Sequence, residues 1–246
     1  MNTLFVDIFI ICFLATLIRS TFGFGESLVA VPLLSFFMPI NIAVPLSVLI
    51  SVFVALVVVV QDHRQIELQS AKWLILFAIP GIPIGLALLL YGNEHWVKIC
   101  LGLFIIAYAL YSLFGKNVFH LKKDHQGWLF ICGLLSGIMG GAYGINGPPL
   151  AVYGNLRKWD AKTFRATLQG YFLPASFVGL TAYFYKGLIS KEVLYDFAIS
   201  LPAVIPAIFI GRYLNKKLEG RQFFRYVYVG LLLIGLLLIL LNGQTK

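Results

Sequence analysis

Charge is scarce in this sequence. Only 12% of its 246 residues are Asp, Glu, Lys or Arg, about half the share of a soluble domain. Three cysteines, Cys12, Cys100 and Cys132, lie in apolar stretches without metal-ligand spacing, and they read as small core hydrophobes. The four histidines, His63, His95, His120 and His125, sit in connectors and form no His-x-x-x-His pair. No phosphate-cradling G-x-x-x-x-G-K-[ST] loop occurs. No Lys or Arg precedes Arg19, which argues against a cleaved signal peptide with a basic start. Together these absences argue against a metal centre, a nucleotide-driven motor and a membrane-embedded enzyme. The last would need convergent acids, bases or ligands, and Glu26 is the one clear acid within an apolar run.

Apolar runs are what the chain has in abundance. Hydrophobic residues make up 60% of it, and its mean hydropathy is +0.89. Runs of about 20 apolar residues mark membrane spans. They occur at 41–60, 72–91, 96–114, 166–185, 192–211 and 222–241. The net charge is +9, with Lys and Arg gathered in the short connectors. That pattern reads as topology determinants beside lipid headgroups, not as a nucleic-acid face. The class is an all-α, multi-pass membrane protein.

Two segments do not fit one crossing each. Residues 4–38 are too long for one span and too short for two. Residues 128–153 contain "GIMGGAYGINGPPLAVYG". Each reads as a helix, a break and a second short helix, with breaks near Gly23–Glu26 and Gly140–Pro149. Three spans follow each broken segment. Residues 1–114 and 128–246 therefore read as two transmembrane repeats joined by a connector at 115–127. The third helix carries Pro80 and Gly85 in one half, and Pro206 and Gly211 in the other.

Two topologies compete. If all eight segments cross, Lys and Arg divide 8 to 10 across the membrane, Arg19 set aside. If both broken segments enter and return as hairpins, the division is 14 to 4. The positive-inside rule favours the second. Each half then makes three crossings, so the repeats are inverted.

Backbone that leaves helix geometry in a bilayer must be buried in protein or line a cavity. Matched discontinuous helices point to a transporter's binding site. Short helices are expected to begin near Glu26–Ser27 and near Pro148–Pro149, with Asn146 as a cap. Two helix starts aimed inward favour an anion. Gly23, Gly25, Gly144 and Gly147 let backbone approach it. The plainer reading, that these Gly and Pro residues serve packing and kinks, applies to either break alone.

Polar side chains gather near the breaks. Arg19 either attracts the anion or pairs with Glu26. Glu26 either carries a coupling proton or neutralises Arg19. Ser47, Ser51, Thr167, Gln169, Tyr171 and Ser176 lie on the following helices, and Gln169 is the costliest to bury. The expected substrate-binding set is Arg19, Gly23, Gly25, Glu26, Ser27, Tyr143, Gly144, Asn146, Gly147, Pro148 and Gln169. No cofactor or metal is expected.

"GFGESLVAVPLL" and "GGAYGINGPPLAVY", each opening one half of the chain, resemble the sulfite exporter TauE/SafE family. Gly23, Gly25 and Pro32 match its first motif; Gly144, Gly147 and Pro149 match its second. The family's glycine run is interrupted here by Phe24, Glu26 and Ser27, and by Ile145 and Asn146. The resemblance implies a secondary transporter of the bacterial cytoplasmic membrane that moves small sulfur-containing anions such as sulfite and sulfoacetate, commonly outward. An H+ or Na+ gradient would supply the energy. The rival readings are an anion channel and a cation transporter using Glu26 as ligand. The sequence leaves open the coupling ion, the direction, and whether the chain acts alone or as a homodimer.

Overall fold

A computed structural model describes residues 2–62, 65–114 and 121–217, with a few positions between 229 and 240. Ten helices occupy the described stretches, which contain no strand. They are α1 (Asn2–Phe22), α2 (Glu26–Leu34), α3 (Ile40–Asp62), α4 (Leu68–Ala78), α5 (Gly81–Tyr91), α6 (Glu94–Phe114), α7 (Gln126–Tyr143), α8 (Gly147–Leu156), α9 (Ala161–Tyr185) and α10 (Lys191–Lys217). Most of the span expected at 222–241 lies outside the described residues, as do residues 115–120 of the connector at 115–127.

Among the described residues, four helices are long and apolar enough to cross a membrane: α1, α3, α6 and α10. The bent pair α4 and α5 makes a fifth if counted as one span. The run at 72–91, expected as one helix, is thus broken and bends by 45° at Ile79–Pro80. Pro80 has no N–H for the helical ladder, so the bend falls where a bond is already missing. α10 remains one helix despite Pro202 and Pro206. α9 has the length of a span, but Thr167, Gln169 and Ser176 lower its hydropathy, and all three are buried.

Apolar side chains also face outward. Leu56, Leu88, Leu103, Phe130, Phe177 and Phe209 are all exposed along their helices. Aromatic residues mark the helix ends: Tyr91, Trp96, Tyr185 and Tyr195 are largely exposed at one end, Phe114 and Tyr213 at the other. An apolar flank between aromatic belts is the surface that lipid selects.

The short helices fold back. α2 packs against α1, and α8 against α7. Asp124, just before α7, accepts hydrogen bonds from Ser70 Oγ at 2.9 Å and from Tyr153 OH at 2.7 Å, and pairs with Arg157 at 3.0 Å. Leu121 N–H donates to the Leu156 carbonyl at 2.8 Å. These contacts join the start of α4, the start of α7 and the end of α8. The chain therefore leaves α8 at the end where it entered α7. Lys98 Nζ donates to the Ser35 carbonyl at 3.2 Å, which ties the end of α2 to the start of α6.

The packing has an exchange pattern. α1 packs on α10, and α7 on α4 and α5. α3 packs on α9 at the centre. α4 meets α9 and α10 meets α3. The crossing of α5 over α7 is built on glycine. A methyl on Gly85 would lie 2.0 Å from the Ile138 carbonyl oxygen, and one on Gly141 would lie 2.2 Å from that of Ile82. Small residues at four-residue spacing let two helix backbones approach this closely.

Candidate functional site

The breaks are made by glycines that take a conformation other residues resist. Gly23 (φ +86), Gly25 (φ +100) and Gly144 (φ +68) are left-handed. Gly144 closes α7: its N–H donates to the Gly140 carbonyl at 3.0 Å, and Ile145 N–H reaches back to Met139 at 3.3 Å. That pairing satisfies the last carbonyls of a helix. Gly23 N–H does similar work on the Arg19 carbonyl at 2.6 Å.

Four carbonyls at the breaks accept hydrogen bonds from side chains. Gln169 Nε2 donates to the Gly23 carbonyl at 2.6 Å. Ser136 Oγ donates to the Asn146 carbonyl at 2.7 Å. Tyr183 OH donates to the Gly140 and Gly141 carbonyls at 3.1 and 2.8 Å. Most break residues are therefore buried in protein, the setting irregular backbone needs in a multi-pass membrane protein.

Two helix starts emerge from these breaks. α2 begins at Glu26 and α8 at Gly147, with prolines at its first positions, and no side chain caps either start. Asn146 does not serve as the expected cap: its amide donates to Ser176 Oγ at 3.4 Å instead. The side chain is held sideways against Gly140, where a methyl would lie 1.7 Å from Asn146 Oδ1.

Arg19, on α1, links to α2, α3 and α9. Its Nη1 pairs with Glu26 Oε2 at 2.7 Å and also donates to Ser51 Oγ on α3. Its Nη2 donates to Gln169 Oε1 on α9 at 3.0 Å. Phe172 covers the guanidinium face, 5.0 Å from ring centroid to Cζ. Arg19 and Glu26 are each 2% exposed. Arg19 Nε and Glu26 Oε1 have no hydrogen-bond partner. A buried ion pair with one oxygen left over is an incompletely satisfied network.

That pair borders a small cavity lined by Gly25, Glu26, Ser27, Ser51, Gly144, Asn146, Gly147 and Pro148, with Phe24 and Phe172 as its aromatic walls. Its volume is about 20 Å³, room for roughly one water. Ser27 accepts a hydrogen bond from Ser47 Oγ at 2.9 Å on its rim. Both expected breaks thus meet at one cavity, and Arg19 reaches it. Gly23 and Gln169 stand behind it as a bonded pair. Tyr143 ends α7, partly buried, and does not line it.

The sequence reading passed over Phe172, Ser136 and Tyr183. Phe172 carries one usable signal, its position three residues after Gln169 and so on the same helix face. Ser136 and Tyr183 carry none, because a buried Ser or Tyr is common in any helix packing.

The chain matches the sulfite exporter TauE/SafE family over residues 8–238. It belongs to that family. Members are membrane transporters, not enzymes, and this chain is a multi-pass membrane transporter. It is 24% identical over 236 residues to a protein of Methanocaldococcus jannaschii named as a probable membrane transporter, covering 87% of each chain. It is 25% identical over 154 residues to a protein of Cupriavidus necator named as a probable sulfite/organosulfonate exporter, covering 59% of this chain and 60% of that one. No solved structure matches.

Proposed function

We propose that this family member is a secondary transporter of small sulfur-containing anions, such as sulfite or organosulfonates, in a bacterial cytoplasmic membrane. The substrate sits in the cavity between the two breaks, bound by Arg19, the N–H groups opening α2, the Gly147 N–H at the start of α8, where Pro148 and Pro149 have none, and the hydroxyls of Ser27 and Ser51. The observation that carries this reading is the convergence of two uncapped helix starts and a buried arginine on one cavity. All three features favour negative charge. The name of the Cupriavidus relative supports the sulfur-anion class.

Alternating access would come from two inverted repeats, 1–114 and 128–246. The exchange pattern of the packing supports this, as does a matched detail at the breaks. Counted from Gly23 and Gly144, Val48 corresponds to Gln169 and Ser51 to Phe172. Gln169 backs Gly23, and Val48 backs Gly144, 2.9 Å from where a methyl would lie. Ser51 and Phe172 both touch Arg19. Each break is therefore braced by the central helix of the other half, so rocking one half would open the cavity to one side. The cavity has room for roughly one water, which supports a closed carrier state over an open channel. An ion gradient, H+ or Na+, would drive the cycle, with Glu26 as the acidic group that senses it. Pairing of Glu26 with Arg19 weighs against a bare cation site.

A thermal-shift screen of the purified protein tests the reading. Sulfite and short sulfonates should raise the melting midpoint, and chloride and neutral sulfones should not. An absence of stabilisation by every anion would refute it.

A further inference from the structure

We propose that each singly charged anion enters this site together with one proton, taken up by Glu26, so that anion and proton move in the same direction. The inference rests on the anion site proposed above and adds the sign and number of the coupling.

The argument begins with how completely Arg19 is used. Its two terminal nitrogens carry three bonds, to Glu26, Ser51 and Gln169. Phe172 shields one face of the plane. Only Nε lacks a partner. Glu26 and Ser51 share Nη1 and Gln169 holds Nη2, so an oxyanion that needs two parallel bonds from the terminal nitrogens competes with the protein's own carboxylate. An anion displaces Glu26 when it takes Nη1.

Charge decides how Glu26 lets go. The site is neutral as it stands, one buried cation against one buried anion. Among the described residues, no other ionised group lines the cavity. α1 contributes Cys12, a thiol, in addition to Arg19. α3 contributes the hydroxyls of Ser47 and Ser51. α6 presents Tyr108, edge-on to Phe24. α9 contributes Gln169, and the start of α8 contributes Asn146. Arg165 packs against Gly23 but is bonded to Asn215 at 3.2 Å. An added anion with Glu26 still ionised would leave a net negative charge buried in a water-sized cavity. Separating a buried pair in that way is among the costlier changes a protein interior can undergo. A proton on Glu26 removes the cost. The loaded site then holds Arg19 as cation, the anion, and a neutral carboxyl, and it is neutral again.

The carboxyl is placed for this exchange. Oε2 holds Arg19, whereas Oε1 is buried and has no partner. A proton arriving from water bonds to a carboxylate oxygen. The Arg19–Oε2 ion pair is lost, and the resulting O–H can donate to the incoming anion or to Ser27. Both helix starts then act on the anion alone. By linkage, the anion favours the proton as much as the proton favours the anion.

Isothermal titration calorimetry with methanesulfonate tests the proposal, because this anion keeps its charge across the working pH range. Titrations in two buffers of different ionisation enthalpy report the protons taken up per anion bound. Uptake should approach one per anion in the wild type. Affinity should fall about tenfold for each rise of one pH unit while free Glu26 is ionised. Glu26→Gln mimics the protonated state, so it should bind with little uptake and little pH dependence. Anion binding without proton uptake in the wild type overturns the coupling and leaves the anion site standing. Undiminished uptake in Glu26→Gln also overturns it, since the proton would then go elsewhere. Failure of the wild type to bind any anion removes the site and this proposal together. The wild-type measurements decide the question even if the variant does not fold.

Discussion

Replacing Arg19 by Met would expose how much of this fold depends on one ion pair. The change removes the cation and leaves Glu26, 2% exposed, without its partner. Stripping one member from a buried pair costs roughly 3–5 kcal/mol. Ser51 and Gln169 lose a donor as well, each worth about 1 kcal/mol, while packing of the thioether against Phe172 returns part of this. In a chain of this size about 1 kcal/mol corresponds to roughly 2–4 °C in melting midpoint, so the single variant should melt on the order of 10 °C lower. Glu26→Gln should show a loss of similar order, since it strands the cation instead. The double variant Arg19→Met/Glu26→Gln removes both charges and should recover most of the deficit, with a coupling on the order of 2–4 kcal/mol between the sites. The assay is detergent-solubilised melting at a fixed scan rate, because unfolding of such proteins is commonly irreversible. Additive losses in the double variant, or a single variant within about 1 °C of wild type, would show that the two residues do not depend on one another as described.

Two further outcomes follow from the packing. Gly137→Ala places a methyl 2.1 Å from the Ala78 carbonyl oxygen, so it should cost about 1–3 kcal/mol and lower the yield of monodisperse protein, whereas Gly179→Ala, with nothing within 4 Å, should be neutral or stabilising. Single cysteines introduced at Gln65 and Asn155 should react with an impermeant thiol reagent from the same side of the membrane, because Asp124 joins the start of α4 to the end of α8 through Ser70, Tyr153 and Arg157; labelling from opposite sides would refute the hairpin.

The breaks were legible because glycine and proline write backbone geometry directly into sequence. Gly23, Gly25 and Gly144 are left-handed, and α8 opens on prolines, as the local pattern requires. The bend at Pro80 was not legible. Pro32, Pro45, Pro174, Pro202 and Pro206 all sit inside helices that continue, so proline alone does not announce a break in this chain. The tie between Arg19 and Glu26 was one of two open readings, since seven residues across a turn of unknown shape do not fix a distance. The partners from afar, Ser51, Gln169 and Phe172, depend on how α3 and α9 rotate about their axes. That rotation is set by the packing of α3 on α9. Weak hydrophobic periodicity in helices apolar on most sides does not reveal it. Asn146 misled for a local reason: its place before α8 suited a cap, but Gly140 and Ser176 hold its side chain elsewhere.

The central claim is that an anion sits where the two breaks meet. Its most direct test is a structure determined with selenite, the heavier analogue of sulfite, located by the anomalous signal of selenium. The account predicts a peak between Gly25–Ser27 and Gly144–Pro148, within hydrogen-bond distance of Arg19, the first N–H groups of α2 and the Gly147 N–H of α8, in a cavity enlarged beyond its present volume. A peak at the membrane surface, or none at saturating selenite, would contradict it.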